Sequence, residues 1–236
     1  MEEGVLMETA TQKTFLVRLY TALDQPIGGG TRIILLALTG LMVFSFFLPL
    51  WRYSMEAPQY PRGLSVDIYF HRLEGGHEGR DINEINELNH YIGMHKIERS
   101  QLIELDWIPF AFGALMLLAL RTAVMGTGRS LVDLSVLTAY LSLFTLGRFV
   151  YWLYSFGHDL DPRAAIKIEP FMPVIAGSKQ VANFMTHSYP QAGSAFVAIF
   201  ALGVMAMTGW HIGLGLRGSR VPAPAKASTA AVAAPA

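Results

Sequence analysis

The sequence predicts an all-α integral membrane protein with four transmembrane helices and a small mixed α/β external cap formed by two loops. The composition is the first reason, because 52% of the residues are hydrophobic and only 15% are charged, against about 25% charged residues in ordinary soluble domains. The second reason is a set of apolar runs about as long as a hydrocarbon core of roughly 30 Å requires. These predicted spans cover residues 33–51, 107–125, 131–154 and 192–216.

Basic residues at the span ends predict the orientation, because Lys and Arg are enriched in short cytoplasmic loops. The segments that this rule places in the cytoplasm contain Arg32, Arg121, Arg129, Arg217 and Arg220. Most acidic residues lie in the two longer loops, 52–106 and 155–191, which are therefore external, and periplasmic in a bacterium. We expect a multi-pass protein of the bacterial inner (plasma) membrane with both termini cytoplasmic. Because Arg121 interrupts the second run, three passes are the alternative.

The spans divide the chain into a lead, a membrane domain and a tail. Residues 1–31 form a cytoplasmic amphipathic lead, in which apolar residues at helical spacing predict a helix lying on the inner membrane surface. Residues 32–220 form the four-span membrane domain. Residues 221–236 are rich in Ala and Pro and lack large apolar groups, so they predict a disordered tail.

The first external loop, 52–106, contains a predicted strand and a predicted helix. Apolar and polar residues alternate over 64–71, the period of a strand with one buried face. Asp81 and Glu84 have the spacing of a capping box. An apolar stripe at helical spacing accompanies them, at Ile82, Ile85, Leu88 and Ile92. We therefore expect a short helix over about residues 82–92.

The second external loop, 155–191, begins beside His158. Asp159 could orient the His158 imidazole, or it could make, with Asp161, the turn that carries the chain off the membrane. Further along, apolar residues within 181–185 predict a brief helix at the membrane interface. We expect the two loops to pack on each other as one external cap.

Histidine is concentrated in these loops, which contain six of the seven histidines. On the predicted helix His90 and Met94 lie four residues apart, so both could reach one ion if the helix continues through Gly93. If Gly93 ends the helix, Met94 lies on a turn; in a structural alternative His90 is only solvated and Met94 packs under the loop. Imidazole and thioether ligands suit copper, particularly Cu(I), better than zinc. The predicted metal ligands are His90, Met94, His158, Met185 and His187.

Ionisable residues inside the spans are few, and each lies near a span end. Asp133 and Arg148 lie on the third span and His211 on the fourth, so they form no continuous proton or ion path. One histidine within the spans is too few for a bis-histidine haem, and without cysteine there is no covalent attachment, so no haem is expected. No motif of an enzyme is present, and the balanced charge argues against nucleic acid binding.

The fourth span carries a face of small residues, a composition that favours close contact between helices. Its glycines are Gly193, Gly203, Gly209, Gly213 and Gly215. The close contact could be made within the bundle or with a partner subunit.

Four stretches within residues 47–187 carry a family resemblance: Phe47–Arg52 running on to Ala57–Leu64, Leu88–Met94, Gly157–Pro162 with Ile166–Ile168, and Gly177–Gln180. They resemble a family of small multi-span membrane proteins associated with bacterial nitrous-oxide reductase maturation gene clusters. In those clusters the neighbours are periplasmic copper chaperones and ABC-type maturation components. The resemblance implies a copper-related function, and His90, Met94 and His158 lie within the matching stretches.

These observations predict a membrane-anchored accessory or maturation factor that binds or transfers copper on the periplasmic side for a cuproenzyme. Its expected partners are membrane lipid and a copper chaperone, a cuproenzyme or a larger membrane complex. The alternative is a non-catalytic structural subunit that stabilises a larger respiratory or photosynthetic membrane complex. An enzyme is the least expected class.

Overall fold

A computed structural model describes residues 15–181 and 184–218 of the chain. It corrects the predicted all-α class, because the protein is mixed α/β, with 60% of residues helical and 16% in a five-stranded antiparallel sheet. The described helices are α1 (15–24), α2 (Gly29–Phe44), α3 (Arg80–Ile92), α4 (Glu104–Met125), α5 (Gly128–His158) and α6 (Ala192–Gly218). The strands are β1 (Trp51–Ala57), β2 (Tyr60–Ile68), β3 (Leu73–Gly75), β4 (Gly177–Val181) and β5 (Phe184–Pro190).

Three described helices, not four, are long and apolar enough to cross a membrane: α4, α5 and α6. The predicted first span is wrong because α2 has 16 residues, or about 24 Å at 1.5 Å per residue, short of a core of roughly 30 Å. The apolar run does continue beyond Phe44, but the chain turns there, and the Ser45 hydroxyl donates to the Met42 carbonyl at 2.6 Å. Strand β1 then begins at Trp51, inside the predicted span.

Helix α2 packs between α4 and α6 and completes a four-helix bundle with α5. The bundle core contains fully buried Leu35, Leu115, Leu134 and Val204, one from each helix. Only 28% of the most apolar window of each long helix is buried, so most of the side chains there are at least partly exposed. An apolar exterior of this kind is compatible with contact to lipid.

The sheet joins both predicted loops in the order β3-β2-β1-β5-β4. Strand β1 pairs with β5 along its length, from Trp51 opposite Pro190 to Glu56 opposite Met185. The brief helix predicted within 181–185 is therefore wrong, because this part of the chain forms the β4–β5 hairpin. The strand predicted over 64–71 is present as β2, but it begins four residues earlier in the chain, at Tyr60, and ends at Ile68.

Two neighbouring strands connect the sheet directly to the bundle, since β1 follows α2 and β5 leads into α6. At this junction Gln191 N–H donates to the Leu50 carbonyl and Gly193 N–H to the Pro49 carbonyl, both at 2.9 Å. A Cβ on Gly193 would lie 2.7 Å from the Pro49 carbonyl oxygen, so only glycine allows this approach. The backbone hydrogen bonds hold the sheet in one orientation against the bundle.

Helix α3 covers one face of the sheet, where Ile85 packs among Met55, Leu64 and Val66. The helix is confirmed, but its predicted capping box is wrong, because the N-cap is Gly79 and no side chain caps it. Asp81 is instead buried: its carboxylate accepts a bond from Ser65 N–H and lies 2.8 Å from His77 Nδ1. The aspartate thus fastens α3 to β2.

The described part of the predicted lead, helix α1, packs on the end of the bundle away from the sheet. Gly128 N–H donates to the Gln25 carbonyl, Arg129 pairs with Asp24 at 2.7 Å, and Ala22 lies against Gly215. The rest of the lead, residues 1–14, and the predicted disordered tail lie outside the described residues. The first and last described helices therefore meet at the same end of the bundle.

The three-span arrangement places Glu87, on α3, and Arg129, at the start of α5, at opposite ends of the spans. The chain has no cysteine, so a single cysteine introduced at either position can be labelled without background from native thiols. We expect a membrane-impermeant maleimide to label Glu87→Cys and Arg129→Cys from opposite faces of sealed vesicles. Both variants should react after detergent is added, which is the control. Labelling of both from one face would contradict the arrangement.

Candidate functional site

The predicted ligands His90 and Met94 do not share a helix face, because α3 ends at Ile92. Gly93 caps the helix with φ +79°, and a Cβ there would lie 2.9 Å from the Asp161 carbonyl oxygen. His90 is exposed to solvent on the last turn. Met94 follows the cap, half-buried, and lines an apolar cavity. Of the alternatives left open by the sequence, the structure shows Met94 on the turn and packed beneath it.

His158 is the last residue of α5 and stacks on Tyr154, with ring centroids 3.9 Å apart. Its Nδ1 lies 3.0 Å from the Tyr154 carbonyl oxygen. Asp159 does not orient His158 as one interpretation of the sequence proposed, since its carboxylate lies 2.8 Å from His95 Nε2. This contact joins the chain after α3 to the chain after α5.

Met185 and His187 lie together on the exposed face of the sheet. Residues alternate between the two faces of a strand, and the neighbours Thr186 and Ser188 on β5 are buried on the α3 side. Met185 is 38% exposed, and the side chain of His187 is 27% exposed. Positions two apart on a strand are separated by about 7 Å, so both side chains can reach one ion between them.

The His187 imidazole lies between polar side chains of the two strands flanking β5. Its Nδ1 lies 2.6 Å from the Ser178 hydroxyl on β4, and its Nε2 lies 3.8 Å from the Glu56 carboxylate on β1. When Nδ1 carries the proton and donates to Ser178, Nε2 presents a lone pair to a metal ion. The Ser178 hydroxyl also lies 3.1 Å from the Tyr189 hydroxyl.

The five predicted ligands are thus divided among three places: His90 and Met94 at the end of α3, His158 at the end of α5, and Met185 with His187 on the opposite face of the sheet. Within residues 15–181 and 184–218, no three His, Asp or Glu side chains are grouped as a metal site. The Met185–His187 pair combines a thioether with an imidazole.

Glu104 forms a polar link between α4 and α5 that was not predicted from the sequence. This buried side chain, at the start of α4, accepts bonds from Arg148 Nε at 2.6 Å and from Trp152 Nε1 at 2.9 Å, both on α5. The signal lay in the sequence: Glu104 stands 22 residues before the turn at 126–127 and Arg148 stands 21 residues after it. In an antiparallel hairpin such residues lie at equal depth. The position of Arg148 on α5 therefore indicates that a carboxylate lies at the same depth on α4.

A cavity of about 610 Å³ lies between the bundle and the sheet. Its walls are mostly apolar, and Glu104 and Arg148 form its main charged pair. Tyr53, on the sheet side, also lines it. Burial raises the pKa of Tyr53 to about 12, and a hydrogen bond with Thr186 opposes that rise. The phenol therefore stays protonated at physiological pH.

No protein-family model matches the chain, and no curated protein sequence matches it.

We expect the Glu104–Arg148 ion pair to contribute more to the free energy of unfolding than the Arg52–Asp67 ion pair does. Glu104→Gln leaves the Arg148 guanidinium without its anionic partner in a mostly apolar setting, and we expect a loss of about 2–3 kcal/mol in unfolding free energy. Asp67→Asn is the matched control, because its partner Arg52 is half-exposed and such pairs contribute about 0–1 kcal/mol. Thermal unfolding in detergent measures both. Equal melting temperatures for the two variants would contradict the assigned role of Glu104.

Proposed function

We propose that this protein is a membrane-anchored accessory factor that binds Cu(I) through Met185 and His187 and hands it on to a cuproenzyme or its chaperone. The observation that supports this function is the position of two soft ligands on one exposed sheet face. Thioether and imidazole are ligands suited to Cu(I). The family resemblance favours a copper-related function for the protein as a whole, since that family is associated with maturation of a copper enzyme, but its matching stretches do not include Met185 or His187.

Exchange of the ion with a partner requires ligands that are accessible but held in place. Strand β4 meets the second condition, because the Ser178 hydroxyl holds the His187 ring at Nδ1. The Glu56 carboxylate lies 3.8 Å from Nε2, on the side where the ion would bind. A two-ligand site with an open position is suited to transfer, because a partner's ligand can bind before the first two release the ion. The mechanism is ligand exchange and involves no redox step.

The basic residues support one orientation of this site. Arg32, Arg121, Arg129 and Arg217 all lie at the end of the bundle away from the sheet. The positive-inside rule assigns that end to the cytoplasm, so the sheet faces the periplasm of a bacterial inner membrane. The first and last described helices lie on that same side, because α2 also connects the two ends of the bundle, although with 16 residues it is too short to count among the candidate spans.

We expect detergent-purified protein to compete with a chelator of known affinity for about one Cu(I). In the double variant Met185→Leu, His187→Ala the affinity should fall by at least about 100-fold, since losing even a group that orients a ligand costs roughly 10–100-fold. Each single variant should lose part of this affinity. A titration monitored by chelator absorbance measures all of them.

The matched control is the double variant His90→Ala, Met94→Leu, which removes the same ligand types from the end of α3. It should bind Cu(I) as the parent does. If it loses binding while the Met185, His187 double variant keeps it, the site lies at α3 and the proposed site is wrong. If the parent does not compete for Cu(I), the copper function itself is wrong.

One observation favours the second candidate, a structural subunit of a larger membrane complex. Part of the glycine face of α6 is used within the chain, where Gly203 lies against Leu38 and Gly215 against Ala22. Gly209 and Gly213 lie four residues apart, and a Cβ added to either would meet no described atom within 4 Å, so this Gly-x-x-x-Gly surface is open. Such surfaces allow close approach of a second helix.

If the protein is a structural subunit, stoichiometric, detergent-resistant membrane partners should co-purify with it. The double variant Gly209→Leu, Gly213→Leu should release them on a native gel, because the added side chains prevent close helix contact. Gly147→Leu is the control, since Gly147 is also open but lies on α5. Purification of the parent without partners would exclude this candidate and leave the copper proposal.

A further inference from the structure

The lining of the cavity between the bundle and the sheet includes exposed residues of both α5 and α6. The polar contacts between these helices lie at their far end, where Ser135 bonds to Thr208 and Thr208 donates to the Leu131 carbonyl. Nearer the sheet, the cavity lining includes Leu146 on α5 and Leu202 on α6. These side chains are 50% and 67% exposed, so they lie where the cavity meets the outer surface of the bundle, at its mouth. Since α5 and α6 are both candidate spans, the mouth faces the lipid.

Ser142 supplies an unused hydrogen-bonding group in this cavity. It lies on α5 and lines the cavity, and its hydroxyl oxygen is buried with no hydrogen-bond partner among the described residues. A buried hydroxyl without a partner is unfavourable. Most buried hydroxyls on these helices bond a carbonyl one turn back, as Thr138 does to Leu134. The Ser142 hydroxyl instead remains available to a bound molecule.

The charges in the cavity balance each other. Glu104 accepts one hydrogen bond from Arg148 and one from Trp152 and forms an ion pair with Arg148, so the carboxylate and the guanidinium neutralise one another. A ligand with a net charge would have no counter-ion and would lose its hydration on entry. An uncharged head group that can bond a hydroxyl fits this setting better than a phosphate or a carboxylate.

We propose that this cavity binds an uncharged membrane lipid, whose carbonyl or hydroxyl head hydrogen-bonds to Ser142 and whose apolar part leaves between α5 and α6. The cavity volume of about 610 Å³ lies within the range of about 300–1,000 Å³ that is typical of small-molecule sites. That is enough for a ring or glyceryl head and the first part of a tail. The rest of the tail extends into the bilayer past Leu146 and Leu202. This binding site is independent of the proposed copper ligands, which lie on the other face of the sheet.

The test uses a benzoquinone with a ten-carbon tail as the probe, added to the full protein in lipid nanodiscs. Trp51 and Trp152 line the cavity, so the bound quinone should quench tryptophan fluorescence with saturation. Ala198 lines the cavity on α6. The larger side chain in Ala198→Phe should fill part of the cavity and abolish saturable quenching. Ala206→Phe, exposed on the same helix outside the cavity, should quench as the parent does. Equal quenching in all three proteins would mean that the probe only partitions into the bilayer, and would overturn the proposal.

Two further arms test the head-group chemistry. Ser142→Ala should weaken saturable binding about fivefold, the effect of losing one hydrogen bond, with an unchanged melting temperature. Farnesol tests whether a lipid alcohol shares the site: displacement of the quinone by farnesol identifies a hydroxyl head as acceptable, and no displacement restricts the site to carbonyl heads. Displacement by palmitate but not by farnesol would show a site for anions and contradict the proposal.

Discussion

The pairing of β1 with β5 determines how the sheet and the helix bundle fit together. These two strands are neighbours at the centre of the sheet, and each continues into a helix of the bundle. The hydrogen bonds of Gln191 and Gly193 to the turn after α2 close the junction. Because a strand can be rotated only by breaking its ladder, this junction decides which face of the sheet meets the bundle and which faces solvent.

The alternation of side chains along β5 then gives one strand two environments. Met185 and His187 lie on the open face, where a metal ion could be exchanged. Thr186 and Ser188 lie on the inner face, and Ser188 lines the cavity above the bundle. The Glu104–Arg148 pair, which also lines this cavity, holds α4 and α5 together. The proposed copper site and the proposed lipid site are therefore separated by a single layer of sheet.

The long apolar helices and α3 could be predicted from the sequence because local periodicity and length determine them. The end of α2 could not, since Phe46 to Leu50 remain apolar while the backbone has already turned. The sheet was missed because its key pairs join Trp51 to Pro190, and no local pattern reports so distant a partner. The candidate ligands had the same difficulty: the predicted topology put His187 and Met185 on the same side of the membrane as His90, but only strand register assigns the two residues to one sheet face, away from His90.

Copper X-ray absorption on the Cu(I)-loaded protein in detergent is the decisive experiment for the proposed copper site, because it identifies the atoms bound to the metal. If Met185 and His187 are the ligands, the first coordination shell contains one sulfur and one imidazole nitrogen. The sulfur signal is then lost in Met185→Leu and the imidazole signal in His187→Ala. A shell of nitrogen and oxygen alone, or a sulfur signal that persists in Met185→Leu, would show that copper binds elsewhere.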